Sequence, residues 1–272
     1  MKGSMLFSAV LLLIGNSLSA ASLSQQTDRF YQNYLQSVEK GLNGRSQFLL
    51  IDKESGLRSR VRGGDVYVEE KRPDDEPPHG MIHHYEGAIF IPGAKIGDVM
   101  GVVQNYDQHK NWYSPEVIDS KILQKQGNDY LIRLRLLKKK VVTVVLETEH
   151  KVRYKQVDPK HWESVSRSVK VSEVEHPGSE NEKQLPQGKG QGFVWHLDSF
   201  WRFAEADGGV YVECTSVSLS RDIPFGLGAI VRPIITDLPE DSLKGVLNNT
   251  LKAVRAQDRN AALANKALAT RD

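Results

Sequence analysis

The sequence predicts an α+β fold in which a seven-stranded antiparallel sheet packs around a long C-terminal helix. The most informative stretch is residues 129–155, where apolar and polar side chains alternate on either side of a lysine-rich turn. A period of two predicts a long hairpin with one face covered and the other in water. Five further strand-like runs lie elsewhere in the chain, and an amphipathic helical pattern follows the last of them.

Composition places the chain among packed soluble proteins. Of its 272 residues, 39% are hydrophobic and 26% are charged, which is ordinary for a globular protein. The 36 basic residues nearly balance the 34 acidic ones, so no overall field would attract nucleic acid. Cys214 is the only cysteine, which excludes an intramolecular disulfide and a cysteine-based metal cluster.

The first 21 residues have the order of a secretory signal peptide. A basic start at Lys2 is followed by an apolar run from Met5 to Ile14 and by small residues up to Ala21. This run is shorter than the ~20 residues that span a bilayer. We therefore expect cleavage after Ser19 or Ala21 and a periplasmic or secreted protein, with an uncleaved anchor as the alternative.

Residues 22–79 are predicted to form an extension that precedes the main domain. Helical spacing of apolar residues predicts a helix over 25–42, and residues 46–72 have a strand-like pattern. An acidic, proline-rich connector at 72–78 ends this part. We place the main domain at residues 80–257.

The main domain begins with a strand at 81–91, a helical stretch up to Val103 and a short aromatic stretch at 106–113. Six further strands are predicted, at 117–124, 128–138, 141–155, 161–174, 192–206 and 210–221. A helical stripe then runs from Leu227 to Val254, and Pro233 should bend or break it. We expect residues 258–272 to be a frayed tail.

This order of elements resembles the START-like (SRPBCC) helix-grip superfamily, which includes polyketide cyclases, lipid-transfer domains and pollen-allergen-type proteins. The resemblance extends over about residues 81–257, and exported bacterial members look similar over most of this length. It is carried locally by the helix-turn-strand entry at 106–117, the last hairpin at 201–213 and the approach to the terminal helix at 220–224. The resemblance implies a cavity between sheet and helix, but the superfamily contains both binding proteins and enzymes.

Several residues on the presumed inner face could hold a ligand. His150 with neighbouring hydroxyls could be an acid/base pair or a polar anchor, since imidazole and phenol both form hydrogen bonds; a histidine satisfied within a core is the alternative. The aromatic residues could form a lid and a wall, or simply a core. The predicted ligand-binding residues are Trp112, Tyr113, Tyr130, Thr148, His150, Tyr154, Trp195, Trp201, Ile230 and Ile234.

The sequence predicts no metal site, no cofactor and no catalytic motif. His83 and His84 are adjacent on a strand, so their side chains point to opposite faces and cannot readily chelate one ion. Arg202 and Glu213, on neighbouring strands, could bind a polar ligand or form an ordinary cross-strand ion pair.

From these observations we predict an exported, monomeric protein that binds or transports a hydrophobic or amphipathic small molecule, either a lipid or a polyketide-like compound. The lysines at 138–140 could form a solvated turn or make transient contact with anionic membrane lipids. One alternative is a cyclase- or hydrolase-type enzyme with His150 as general base. Another is an envelope module whose N-terminal helix docks onto a partner protein.

Overall fold

The computed structural model describes residues 22–139, 143–222 and 228–269, with side chains described at 22–139, 143–222 and 238–259. The predicted signal peptide lies outside the described residues, and so does Lys140.

Five α-helices are present in the described residues. Their bounds are Gln25–Asn43 (α1), Leu57–Arg62 (α2), Ile96–Val103 (α3), His109–Trp112 (α4) and Gly228–Ala269 (α5). Short 3₁₀ turns occupy Leu50–Asp52 and Tyr106–Gln108. The helix α5 is not broken at Pro233, because an α-helix can continue through a proline at the loss of one backbone hydrogen bond.

The described strands form one antiparallel sheet. Their bounds are Tyr67–Lys71 (β1), Gly80–Pro92 (β2), Val117–Gln126 (β3), Asp129–Lys139 (β4), Thr143–Asp158 (β5), His161–Glu175 (β6), Lys183–Gln184 (β7), His196–Ala206 (β8) and Gly209–Arg221 (β9). The spatial order is β1-β2-β9-β8-β6-β5-β4-β3, with β7 paired to β6.

The α+β class and the sheet with its terminal helix are confirmed, but the predicted count of seven strands is too low. All seven predicted strands are present, and β1 and β7 are additional. The strand-like pattern at 46–72 yields a strand only at Tyr67–Lys71, which pairs with β2. Before it lie the 3₁₀ turn and α2, since short apolar runs do not distinguish strand from helix.

The inner face of the sheet packs against α5 and carries the main core, with Ile89, Val212 and Phe203 among its buried members. Gly87 allows the close approach of α5 to β2. A Cβ at this position would lie 2.9 Å from Leu247 Cδ1 and 3.1 Å from the backbone oxygen of Tyr67.

The outer face of the central strands is covered by the N-terminal extension. Tyr31 and Leu35 of α1 pack on Val217 and Leu219 of β9. Leu57 belongs to a second cluster on the same face, formed with α2 and the 3₁₀ turn. The central strands β2, β8 and β9 are therefore buried on both faces.

Arg202 and Glu213 hold this extension in place by hydrogen bonds to its backbone. The Arg202 guanidinium donates to the carbonyls of Leu42 and Phe48 at 2.8 and 2.7 Å. The Glu213 carboxylate accepts from the backbone N–H groups of Leu50 and Ile51 at 2.8 and 2.9 Å. Both side chains thus serve the outer layer, rather than a ligand on the inner face.

The outer face of the β4–β5 hairpin is charged, as the alternation predicted. Arg135 donates to Glu147 at 2.9 Å and to Glu182 at 2.8 Å. Arg133 pairs with both Asp119 and Glu147.

Candidate ligand-binding cavity

A cavity of about 340 Å³ lies between the inner face of the sheet and α5. This volume falls within the range of ~300–1,000 Å³ that is usual for small-molecule pockets. Its walls are mainly apolar and include Ile132, Leu134, Val152, Leu197, Phe203 and Leu243. The inner face therefore leaves room for a ligand and is not filled by its own side chains.

His150 is fixed in one tautomer within this cavity. The hydroxyl of Thr148 donates its only proton to the carbonyl of Leu134 at 3.1 Å. Its 3.0 Å contact with His150 Nε2 must therefore be a bond that His150 donates. The remaining nitrogen, Nδ1, is an acceptor, and its one partner among the described residues is the Ser166 hydroxyl at a long 3.4 Å.

His83, on β2, shows the same arrangement. The Ser220 hydroxyl donates to the carbonyl of Arg221 at 3.1 Å, so its 2.9 Å contact with His83 Nε2 is donated by the histidine. Nδ1 of His83 makes no hydrogen bond to any described residue. Burial lowers the pKa of His83 and of His150 from 6.5 to about 4, so both rings are neutral at pH 7.

A row of serines crosses the inner face between the two histidines. Ser216 of β9 pairs directly with Ser199 of β8, and Ser199 pairs with Ser166 of β6. Ser164 and Ser218 lie next to this row and also line the cavity. We call these five residues the serine row. The hydroxyls of Ser164, Ser216 and Ser218 make no side-chain hydrogen bond within the described residues.

The tyrosines of the cavity use their protons within the protein. Tyr154 donates to the carbonyl of Val103 at 3.0 Å, so its 2.7 Å contact with Tyr106 is donated by Tyr106. Thr250 donates to the carbonyl of Val246 at 2.9 Å, so it accepts the proton of Tyr113 at 3.0 Å. Burial is the main cause of the raised pKa of Tyr106, Tyr113 and Tyr154, which keeps them protonated.

Lys138 lines the cavity and does not belong to an exposed basic tip. Its ammonium group pairs with Glu116 and donates to Ser242 of α5 at 2.7 Å. Burial lowers its pKa to about 7. Lys138 points toward the cavity because side chains alternate between the two faces of a strand, and Lys138 has the same parity as the inward-facing Leu136. Of the three lysines, Lys139 is exposed and Lys140 lies outside the described residues.

Four of the predicted site residues line the cavity, namely Tyr113, His150, Tyr154 and Trp201. Three others pack beside it: Tyr130 is in the inner core, Trp112 is partly buried against that core, and Thr148 orients His150. Trp195 lies instead in the outer-face cluster, because β8 begins only at His196 and the strand parity does not extend back to it. The side chains of Ile230 and Ile234 lie outside the described residues.

Sequence reasoning missed the serine row and the role of His83 at the cavity. A signal was present, because serines recur at every second position at 164 and 166 and again at 216, 218 and 220. Small hydroxyl residues at every second position of a strand all lie on one face of the sheet, and their small side chains leave space on that face even when it is covered. His83 was considered only as a metal ligand, and the described residues contain no group of histidine, cysteine and carboxylate side chains able to hold a metal.

In the described part of the chain, no helix has both the length and the apolar character needed to cross a bilayer.

Comparison with known proteins gave structural similarities only. No protein-family model matches the chain, and no curated protein matches it significantly. A protein of Thermus thermophilus is 13% identical, with a TM-score of 0.46 over 63% of this chain and 97% of that one. The Zhui aromatase/cyclase of Streptomyces is 14% identical, with a TM-score of 0.45 over 66% of this chain and 98% of that one.

A STAR-related lipid transfer protein of Xanthomonas axonopodis is 17% identical, with a TM-score of 0.40 over 71% of this chain and 98% of that one. Similarity at this level does not identify a ligand or an activity. On its own geometry, the chain has one antiparallel sheet packed on a long C-terminal helix, with α3 and α4 inserted between β2 and β3, which is the helix-grip arrangement.

Proposed function

We propose that this protein binds or transports a hydrophobic or amphipathic small molecule, either a lipid or a polyketide-like compound, in the cavity between the sheet and α5. The observation that carries the proposal is the cavity itself, about 340 Å³ with a mainly apolar wall and a few fixed polar groups. This volume lies near the lower end of the range that is usual for small-molecule pockets, which suits a single acyl chain or a small fused-ring system.

Binding is favoured over catalysis by the surroundings of His150. An effective general base has a pKa near the working pH, whereas burial lowers the pKa of His150 to about 4. Its hydrogen-bond partners are the hydroxyls of Thr148 and Ser166, and no carboxylate within the described residues bonds to it. The cyclase or hydrolase alternative therefore lacks an activated base at this position.

The partner-binding alternative is weakened by the position of α1. Its apolar stripe would have to be free for a partner, yet Tyr31 is 0% exposed and Leu35 is 3% exposed because both pack on the sheet. The helix is used to cover the protein's own outer face.

Filling the cavity tests the proposal. Ser216→Phe places a ring on the inner face, and Ser37→Phe places the same ring on the exposed surface of α1 as a matched control. We expect the unsubstituted protein and Ser37→Phe to bind the apolar dye N-phenyl-1-naphthylamine equally, and Ser216→Phe to bind it at least about tenfold more weakly. Circular dichroism checks that each variant is folded. Failure of the unsubstituted protein to bind any apolar probe would refute the proposed function, and equal binding by both variants would place the site elsewhere.

We further propose that the protein is exported and acts as a monomer outside the cytoplasm. The support for export is the order of residues 1–21 described above. Intact mass and gel filtration of the protein recovered from cells test both points. A full-length mass would contradict signal cleavage, and an elution volume of a dimer would contradict the monomer.

A further inference from the structure

The described residues give the cavity fixed hydrogen-bond acceptors but few fixed donors. The protons of Tyr106, Tyr113 and Tyr154 are all donated to protein oxygens. The Nε2 protons of His83 and His150 are likewise donated to hydroxyls. None of these five groups retains a proton to offer to a ligand.

Two ring nitrogens whose tautomer is fixed remain as acceptors, and Nε2 of His109, which also lines the cavity, is buried without a hydrogen-bond partner among the described residues. Nδ1 of His83 is unpaired among the described residues, and Nδ1 of His150 receives only the weak 3.4 Å bond from Ser166. Each ring is held by the same relay, in which Nε2–H donates to a hydroxyl and the hydroxyl donates to a backbone carbonyl. Because the relay ends on a carbonyl, which can only accept, neither ring can turn its acceptor into a donor without losing the hydrogen bond from the hydroxyl to that carbonyl.

The cations that line the cavity within the described residues already have partners. Lys138 pairs with Glu116 and bonds to Ser242. Arg221 donates to the carbonyl of Gln191 at 3.2 Å, and Asp222 lies beside it in the cavity wall. A ligand carboxylate would therefore meet, among the described residues, neutral ring acceptors and cations that already have partners. The serine row does not discriminate, since a hydroxyl can rotate to donate or to accept.

We propose that the cavity selects uncharged ligands that donate hydrogen bonds, that is alcohols or phenols, over carboxylates and ethers of the same size. This inference rests on the proposed function, because it concerns the occupant of the same cavity. An ether or an ester presents only acceptors to His83 and His150. Neither the ligand oxygen nor the ring nitrogens would then have a proton to share in a hydrogen bond. A hydroxyl group supplies that proton without bringing a charge into the buried cavity.

Three ligands with the same ring system test the proposal: 2-naphthol, 2-methoxynaphthalene and 2-naphthoate. Calorimetric titration of the mature chain at pH 7 should give an affinity for 2-naphthol at least about tenfold higher than for either analogue, which is the effect expected of one net hydrogen bond. If the methyl ether or the carboxylate binds as tightly as the phenol, the inference is overturned while the proposed function stands. If none of the three binds, the proposed function itself fails.

Substitution of both histidines locates the effect. In His83→Leu/His150→Leu the preference for 2-naphthol over 2-methoxynaphthalene should fall to about parity, while the ether keeps its affinity. In His83→Gln/His150→Gln an amide can still donate toward the relay hydroxyl and accept from the ligand, so the preference should persist. A preference that survives in the leucine variant would show that other groups select the ligand. If the leucine variant does not fold, the comparison of the three ligands on the unsubstituted protein still decides the inference.

Discussion

Mild acid should destabilise this protein through four buried histidines. Burial lowers the pKa of His83, His84, His109 and His150 from 6.5 to about 4 in the folded state. In the unfolded chain each would titrate near its ordinary value of ~6.5. Between these two values the unfolded state binds more protons than the folded state, so the free energy of unfolding falls as the pH falls from about 6.5 to about 4.

The difference between the folded and unfolded pKa values corresponds to roughly 3 kcal/mol for each histidine. Buried carboxyl groups act in the opposite direction. Burial raises the pKa of Glu213 to about 7 and also raises the pKa of Asp198 and Glu173. As these groups become protonated, they raise the free energy of unfolding. The contribution of Glu213 alone offsets that of about one histidine. A net loss of several kcal/mol is large against the ~5–15 kcal/mol that stabilises a typical domain.

One substitution isolates the histidine contribution. Urea unfolding of the unsubstituted protein and of His150→Gln is measured at pH 7.0 and pH 4.5. We expect the loss of unfolding free energy between the two pH values to be smaller by roughly 2–3 kcal/mol in the variant, because glutamine does not titrate. His176→Asn, at an exposed turn with positive φ that asparagine tolerates, is the matched control and should leave the loss unchanged. An unchanged loss in His150→Gln would show that His150 is not held neutral by burial, and the tautomer argument for the cavity would fail with it.

Three further predictions concern packing. Leu247→Ala should lower the free energy of unfolding by ~2–5 kcal/mol and leave dye binding unchanged, because Leu247 is fully buried away from the cavity. Leu243→Ala, at the cavity wall, should lower it less and should change dye binding. Equal stability losses with unchanged dye binding would indicate a solid core. Gly87→Ala should cost ~1–3 kcal/mol in thermal or urea unfolding, because the added Cβ would lie 2.9 Å from Leu247 Cδ1; a neutral result would mean that α5 shifts without strain. Tyr31→Phe should cost ~1–3 kcal/mol in urea unfolding, because it removes the 2.6 Å hydrogen bond to the buried Asp198 carboxylate, and a loss below about 0.5 kcal/mol would contradict this.

The strands were predictable because their pattern has a period of two over long runs. The hairpin of β4 and β5 was predicted within a few residues at each end, since alternation over more than ten residues excludes a helix. The run at 48–51 was not predictable in the same way. Four apolar residues fit a strand, a helix or a turn equally well, and their conformation here depends on the distant Glu213, which binds the backbone of Leu50 and Ile51.

The candidate site was predictable in part, for a related reason. Parity along β5 identified His150 and Tyr154, because both lie inside one unbroken strand. The same alternation gave the wrong face for Trp195, because this residue lies before the start of β8. It was not applied to Lys138, because the charge of this residue suggested an exposed turn. The tautomers of His83 and His150 depend on Ser220 and Thr148 each donating to a backbone carbonyl. No sequence pattern shows which way a hydroxyl proton points.

The cavity has a cost that the rest of the fold must offset. On the scale of ~24 cal/mol per Å³ found for engineered cavities, an empty space of about 340 Å³ would cost roughly 8 kcal/mol, close to the whole stability of a domain. The serine row lowers this cost, because a space lined by hydroxyls can be hydrated in solution, whereas a fully apolar space stays dry. The outer layer supplies the remaining stability, since α1, α2 and the 3₁₀ turn bury the far side of the same strands that leave their inner side unfilled. A sheet packed on both faces can keep serines at positions 164, 166, 199, 216 and 218, where a sheet with one core would need larger apolar residues.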